Sequence, residues 1–201
     1  MHPIALYRHA VRWFTTDEAF HSLYPDDIQG LANRHWTPLR IAHAAINFLT
    51  PHRGVRVLDI GSGIGKFCLA AGWYKPSSFF TGIEQRANLV KLASEAQLKL
   101  GLKNVSFQHG NFTRLNFHEY DHFYFFNSFY ENLAGADKID ESIDYTTELY
   151  NYYNRCLYNK LDDMPPGTRV VTFHSLEDEV PFSYEAVDSR FNNRLKCWIK
   201  K

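Results

Sequence analysis

Residues 57–65 read Val-Leu-Asp-Ile-Gly-Ser-Gly-Ile-Gly, an apolar run that reaches an acid and then places glycine at every second position. Such a run predicts a buried strand ending in a tight turn, with a helix to follow, and so the first unit of an α/β sheet. Gly61, Gly63 and Gly65 leave bare backbone against which a ligand can lie. Asp59 at the strand end can accept hydrogen bonds from a cationic amine or from water. A dinucleotide-type turn counted from Gly61 would need glycine at position 66, where the chain has Lys66. A purely structural strand-to-helix turn is the plainer alternative, and the flanking sequence argues against it.

Residues 66–73 carry Phe67, Leu69, Ala70 and Ala71 and predict a helix, stopped by Tyr74-Lys75-Pro76-Ser77. Phe79 to Ile83 is a second buried-type strand ending on Glu84. An acid at that strand tip, about 20 residues beyond the glycine turn, is placed to accept both hydroxyls of a ribose. Residues 88–101 give a helix with Leu89, Leu92, Ala93, Ala96 and Leu100 on one face, closed by Gly101. Residues 104–108 form a third strand, followed by His109-Gly110-Asn111-Phe112. Residues 120–126 form a fourth, which delivers Asn127-Ser128-Phe129-Tyr130 to the same edge as the glycine turn. Ligands of open α/β sheets gather at that edge.

His118-Glu119-Tyr120-Asp121-His122 matches the letters of a zinc motif. Two histidines four apart share an ion only on a helix, and in a strand they stand roughly 13 Å apart. No metal site is expected, and Cys68, Cys156 and Cys197 lack paired spacing. After Pro165-Pro166-Gly167, residues 169–174 give a fifth strand. Residues 182–187 and 195–199 give two more around a polar turn.

The run Asp59-Ile60-Gly61-Ser62-Gly63-Ile64-Gly65 resembles motif I of the class I S-adenosylmethionine (SAM)-dependent methyltransferases. The resemblance implies a Rossmann-like, doubly wound, mostly parallel seven-stranded sheet with an antiparallel C-terminal hairpin. It implies SAM as cofactor, held by Asp59, Gly61, Gly63, Gly65 and Glu84. In the family an acid after the third strand accepts from the adenine amine. Asn111 takes that place here and can accept the same bond without charge, while Phe112 covers the ring. Enzymes that methylate nucleic-acid amines carry Asn/Asp-Pro-Pro-Tyr/Phe after the fourth strand; Asn127-Ser128-Phe129-Tyr130 keeps the amide and the aromatic and lacks both prolines. Asn127 and Tyr130 are the expected catalytic residues. The segments Gly82-Ile83-Glu84, Gly110-Asn111-Phe112 and Asn127-Ser128-Phe129 are similar, in the same order, to the core of the non-SET histone-lysine methyltransferases. That likeness stops at residue 130.

These features lead to a methyltransferase whose acceptor is preferably an amine on a protein or small molecule. A nucleic-acid amino-methyltransferase and a non-catalytic SAM-binding module stand as alternatives. Among 201 residues, 22 Lys and Arg balance 22 Asp and Glu, so no global field draws in nucleic acid. Acids follow the fourth strand (Glu131, Asp137, Asp140, Glu141) and the fifth (Glu177, Asp178, Glu179), and such a rim would favour a cationic acceptor. Unpaired cysteines, no signal-type segment and no membrane-length apolar run point to a soluble cytoplasmic protein without a membrane partner. Residues 1–50 are expected to be a helical segment over the cofactor pocket, with Thr37 capping a helix from Pro38 and Trp36 in the core. Residues 51–201 form the SAM-binding core of what is one domain overall.

Overall fold

The computed structural model describes residues 12–201, so the first eleven residues of the helical segment expected over 1–50 lie outside the described residues. Seven strands form one sheet in the order β3-β2-β1-β4-β5-β7-β6. β1 (Arg56–Ile60), β2 (Phe79–Glu84), β3 (Val105–His109), β4 (His122–Phe125) and β5 (Arg169–Phe173) run parallel. β7 (Leu195–Lys200) pairs antiparallel with β5, and β6 (Tyr184–Arg190) antiparallel with β7. This is the doubly wound sheet with a terminal hairpin that the sequence predicts. Because β1 is flanked by β2 on one side and β4 on the other, the chain direction of winding switches there, and a crevice opens at the strands' carboxyl ends.

Period-2 alternation divides the strand side chains between two cores. Val57, Phe80, Tyr124 and Val171 point to one face. It is covered by α4 (Leu39–Leu49), α5 (Lys66–Tyr74) and α6 (Ala87–Leu100). Leu58, Ile60, Phe123, Phe125 and Val170 point to the other, beneath α7 (Thr147–Asp162). Helix α4 is amphipathic, with Leu39, Ile41, Ala42, Ala45, Ile46 and Leu49 all buried. Each large aliphatic side chain so removed from water contributes roughly 1.5–3 kcal/mol. Helix α5 is buried along almost its whole length because α4 covers its outer side. Helix α6 ends where Gly101 adopts φ 67, as a C-terminal glycine should.

Three short helices, α1 (Asp17–His21), α2 (Asp26–Gln29) and α3 (Ala32–His35), precede α4. Their Phe20, Tyr24 and Trp36 belong to the same core as the sheet. Thr37 is not the cap of α4. Its hydroxyl pairs instead with the Tyr124 hydroxyl at 3.0 Å. Asp17 takes the capping role from 22 residues away, accepting from Leu39 N at 2.9 Å. Helix α7 starts at Thr147, with Thr146 accepting from Leu149 N at 3.0 Å. The residues before it are held out of the helix because Asp140 accepts from both the amide and the hydroxyl of Ser142.

Candidate functional site

Beyond β1 the amides of Gly61 and Ser62 both donate to Ile83 O, at 2.9 and 3.0 Å, which folds the glycine turn onto the tip of β2. Gly61, Gly63 and Gly65 lie at φ 74, 53 and 81, where a side chain is strained. Only one of the three offers the open space expected of all of them. A Cβ on Gly61 would collide with Ser128, and one on Gly65 with the Phe107 ring, whereas Gly63 faces open space. Two of the glycines therefore serve close packing, and Gly63 provides the bare face.

Glu84, 5 % exposed, uses one carboxylate oxygen to accept from Gly63 N at 3.0 Å. The other accepts from Arg86 N at 2.9 Å and from its guanidinium at 3.4 Å. Arg86 is equally buried and also donates to Glu131 (2.6 Å), Asp140 (3.2 Å) and the Tyr145 hydroxyl (2.6 Å). Burial and the Glu131 charge push the Tyr145 phenol up to about 12. This network ties the segment 131–145 across the end of β2. Sequence reading misses Arg86, since a lone arginine after a strand carries no signal of the acids that converge on it.

Between the glycine turn, the β2 tip and the residues after β4 lies a cavity of about 350 Å³. Six of the expected site residues line it: Gly61, Gly63, Glu84, Phe112, Asn127 and Tyr130. The Phe112 ring stacks on Phe129 with centroids 5.2 Å apart. Asp59, Gly65 and Asn111 stand outside its wall. Asp59 shares the sheet face of Val57 and lies under α5, where Cys68 Sγ approaches it at 3.6 Å. Burial raises its carboxyl to about 8. Asn111 accepts from Thr113 N through Oδ1 and donates to Gln85 and Tyr153 through Nδ2, each at 3.0 Å. The oxygen assigned to adenine thus already caps a turn. Asn132, which sequence reading passes over, lines the cavity with a buried Oδ1 that has no hydrogen-bond partner among the described residues.

Asn127 follows β4 at φ 41 and accepts from Tyr130 N at 3.1 Å through its carbonyl. Beside it Ser128 donates to Ile60 O at 2.6 Å, pinning this loop to the end of β1. Phe126, Asn127, Tyr130 and Arg34 line both the cavity and a second, broader basin of about 960 Å³. The basin is bounded by α1, α3, the end of β5 and the β6–β7 turn. Its floor carries Lys66, buried and held by Asp17 at 2.5 Å and His21 at 3.0 Å.

The acidic rim differs from its expectation, because most of its charge is neutralised. Glu131 and Asp140 are bound to Arg86, Asp137 to Arg34, Glu141 to Lys138 and Glu177 to Lys196. Glu179 is buried against Ser175, and burial raises its pKa. The zinc-like letters fall on separated surroundings. His118 is exposed on a short 3-10 turn and pairs with Asp163, while His122 is buried in β4 and accepts from Arg169 N. No group of three possible metal ligands occurs among the described residues, and no described helix is long and apolar enough to cross a membrane.

Residues 51–154 match the model of a family described as "Methyltransferase domain". Two curated relatives are named tRNA (guanine-N(7)-)-methyltransferase. The one from Nostoc sp. is 32 % identical over 84 residues, covering 42 % of this chain and 38 % of that protein. The one from Microcystis aeruginosa is 44 % identical over 54 residues, covering 27 % and 26 %. The chain therefore spans well under half the length of the curated relatives it matches. A solved RNA methyltransferase from Salinibacter ruber, in complex with S-adenosyl-L-homocysteine, shares the fold at a TM-score of 0.57. It is 16 % identical and the match covers 82 % of this chain and 91 % of that one. With the family model covering just over half of the residues and the doubly wound sheet in place, the chain belongs to the methyltransferase domain family and has its Rossmann-like fold.

Proposed function

We propose that the chain transfers the methyl group of SAM to a nitrogen of a nucleic-acid acceptor, and that Asn127 aligns that nitrogen. The carrying observation is the position of Asn127. It sits at the carboxyl end of β4 in a left-handed conformation, in the wall shared by the cavity and the basin. A non-glycine residue held there costs on the order of 1–3 kcal/mol, and such strain collects at functional sites.

The cavity suits SAM on its own chemistry. Gly63 offers a face without a side chain, Glu84 offers carboxylate lone pairs, Phe112 offers a ring, and Asn132 offers an acceptor oxygen that lacks a donor. In this reading Asp59 acts from beneath the turn, and Gly61 and Gly65 shape it. Bound SAM supplies an electrophilic sulfonium methyl group. The protein's part is to present the acceptor's lone pair in line, and the Asn127 amide oxygen does so by accepting an N–H while Phe126 and Tyr130 flank the ring or amine. His174 borders the basin with its pKa lowered chiefly by burial, which keeps the imidazole neutral, with a ring nitrogen to receive a released proton.

A nucleic-acid acceptor is supported by the tRNA methylation that the names of the two curated relatives state and by the paired state of the acidic rim. The earlier preference for a protein or small-molecule amine drew on that rim as a cation-attracting field, and five of its acids already hold cations of the protein. Transfer of tritium from methyl-labelled SAM into a lysate, followed by ribonuclease or protease, reads the acceptor class. Label released by ribonuclease supports the proposal, and label released only by protease overturns its acceptor. Asn127→Ala should slow single-turnover transfer roughly a hundredfold, about 2.7 kcal/mol, with SAM affinity nearly unchanged. Wild-type turnover in this variant would move alignment to another residue.

A further inference from the structure

The basin beside Asn127 combines three independent features that the transfer reaction alone does not explain. The first is strain. Six described non-glycine residues have positive φ: Asn127, His174, Glu177, Phe191, Asn192 and Asn193. Four of them, Asn127, His174, Phe191 and Asn192, are in the basin wall. Phe191, Asn192 and Asn193 make the tight turn of the β6–β7 hairpin, where positive φ is the rule, and Phe191 and Asn192 border the basin; Asn127 and His174 are left-handed outside any hairpin turn.

The second feature is charge. The lining cations Arg34, Arg40, Lys66 and Arg194 face the acids Asp17 and Glu18. Asp17 is committed to Lys66 and to Leu39 N, and Arg34 to Asp137. Arg40 and Arg194 have no carboxylate partner among the described residues. Arg40 lies 5.6 Å from the Phe191 ring centroid, and the Arg194 charge helps depress His174. Two exposed guanidinia, that of Arg40 near the Phe191 ring, thus face the basin without a carboxylate among the described residues.

The third feature is aromatic surface. Phe126 packs on Phe173 at 4.7 Å, Phe191 is half-buried, and Tyr130 is 46 % exposed. Guanidinium next to ring is a combination suited to a phosphate attached to a planar base, because arginine binds phosphate through a fork of donors while bases stack on aromatic faces. We infer that this basin binds a nucleotide unit of the acceptor, with its phosphate on Arg40 and Arg194 and its base among Phe126, Tyr130 and Phe191. The inference rests on the methyl-transfer reading of the adjoining cavity, and it assigns acceptor recognition to residues outside that cavity.

The test uses the full chain with S-adenosylhomocysteine present, a fluorescein-labelled 12-nucleotide single-stranded RNA and unlabelled guanosine monophosphate as competitor. The RNA should bind, and Arg40→Gln with Arg194→Gln should weaken it by at least tenfold, the loss expected from charge-assisted hydrogen bonds. The slope of log affinity against log salt should fall by about one for each arginine. Competition by the mononucleotide would identify a free nucleotide as sufficient, and its failure would identify a strand; either supports the site. Binding indifferent to the two substitutions, or lost equally in Arg155→Gln on the exposed side of α7, overturns it. The melting shift with S-adenosylhomocysteine is read on every variant. Its presence with RNA binding indifferent to Arg40 and Arg194 refutes only the basin, while its absence from the wild type refutes the underlying methyltransferase site. Should the double variant lose that shift, Arg40→Gln and Arg194→Gln are read singly against the same threshold.

Discussion

Asp59→Asn should change how stability depends on pH while barely altering shape. Asp59 is 3 % exposed, its side chain lies under α5 beside Cys68, and burial lifts its carboxyl from the ordinary 3.8 to about 8, with the Glu84 charge adding to the rise. The folded chain therefore holds a proton at this site across the window from about 4 to 8 that the unfolded chain has released. Stability contributed by the protonated carboxyl is complete below 3.8, declines as pH rises through the window, and levels off above 8. A shift of about four units, at 1.36 kcal/mol each, makes the full penalty on the order of 5 kcal/mol. Buried histidines oppose this trend, since burial lowers His122 to about 4 and it destabilises the fold only when charged. The difference between variant and wild type cancels that opposing contribution. Urea unfolding at pH 5, 6.5 and 8 should show Asp59→Asn gaining on the wild type by several kcal/mol between the ends of the series. Parallel curves would mean that Asp59 is ionised in the fold and that its surroundings are wetter than the packing around Cys68 implies.

Two further outcomes follow from the cavity wall. Asn132→Leu should leave the unliganded protein within about 1 kcal/mol of wild type, because the only bond lost is Asn132 Nδ2 to Phe129 O, yet weaken S-adenosylhomocysteine at least tenfold in calorimetry; unaltered affinity would remove Asn132 from the site. Arg86→Met should cost about 3 kcal/mol in urea unfolding, since Glu84 and Glu131 would stay buried without their cation, and a loss below 1 kcal/mol would show that water reaches those acids.

The parts of this fold that were legible from sequence are those governed by local periodicity. The apolar runs at 57–60, 79–83 and 169–173 became β1, β2 and β5, and the segments 182–187 and 195–199, on either side of a polar turn, became the antiparallel hairpin. What could not be read depended on partners distant in the chain. Thr37 had the right letter and spacing for a cap, but Asp17 reached Leu39 N first and left Thr37 to Tyr124. Gly65 looked like a place for ligand until Phe107, 42 residues on, filled it. The seven acids after β4 and β5 looked like a field because the cations that cancel most of them come from Arg34, Arg86 and Lys196, in other elements.

The two sides of the crevice are built by opposite means. On the β1–β2–β3 side the glycine turn is packed by Ser128 and Phe107, Glu84 is bonded through both oxygens, and Asn111 caps its own turn, while Ser62 Oγ and, on the cavity wall, Asn132 Oδ1 are buried without a partner among the described residues. A wall held this firmly, with a free acceptor oxygen on it, suits one molecule bound the same way in every cycle. On the β4–β5 side, Asn127, His174 and the 191–193 turn have left-handed conformations, and Arg40 and Arg194 have no carboxylate partner among the described residues. Strained backbone and unpaired guanidinia become favourable when a ligand compensates them, so this side gains more from occupancy than from closure. Asn127, with Arg34, Phe126 and Tyr130, stands where the two regimes meet, and in the proposed reaction this is where methyl donor and acceptor are brought into line.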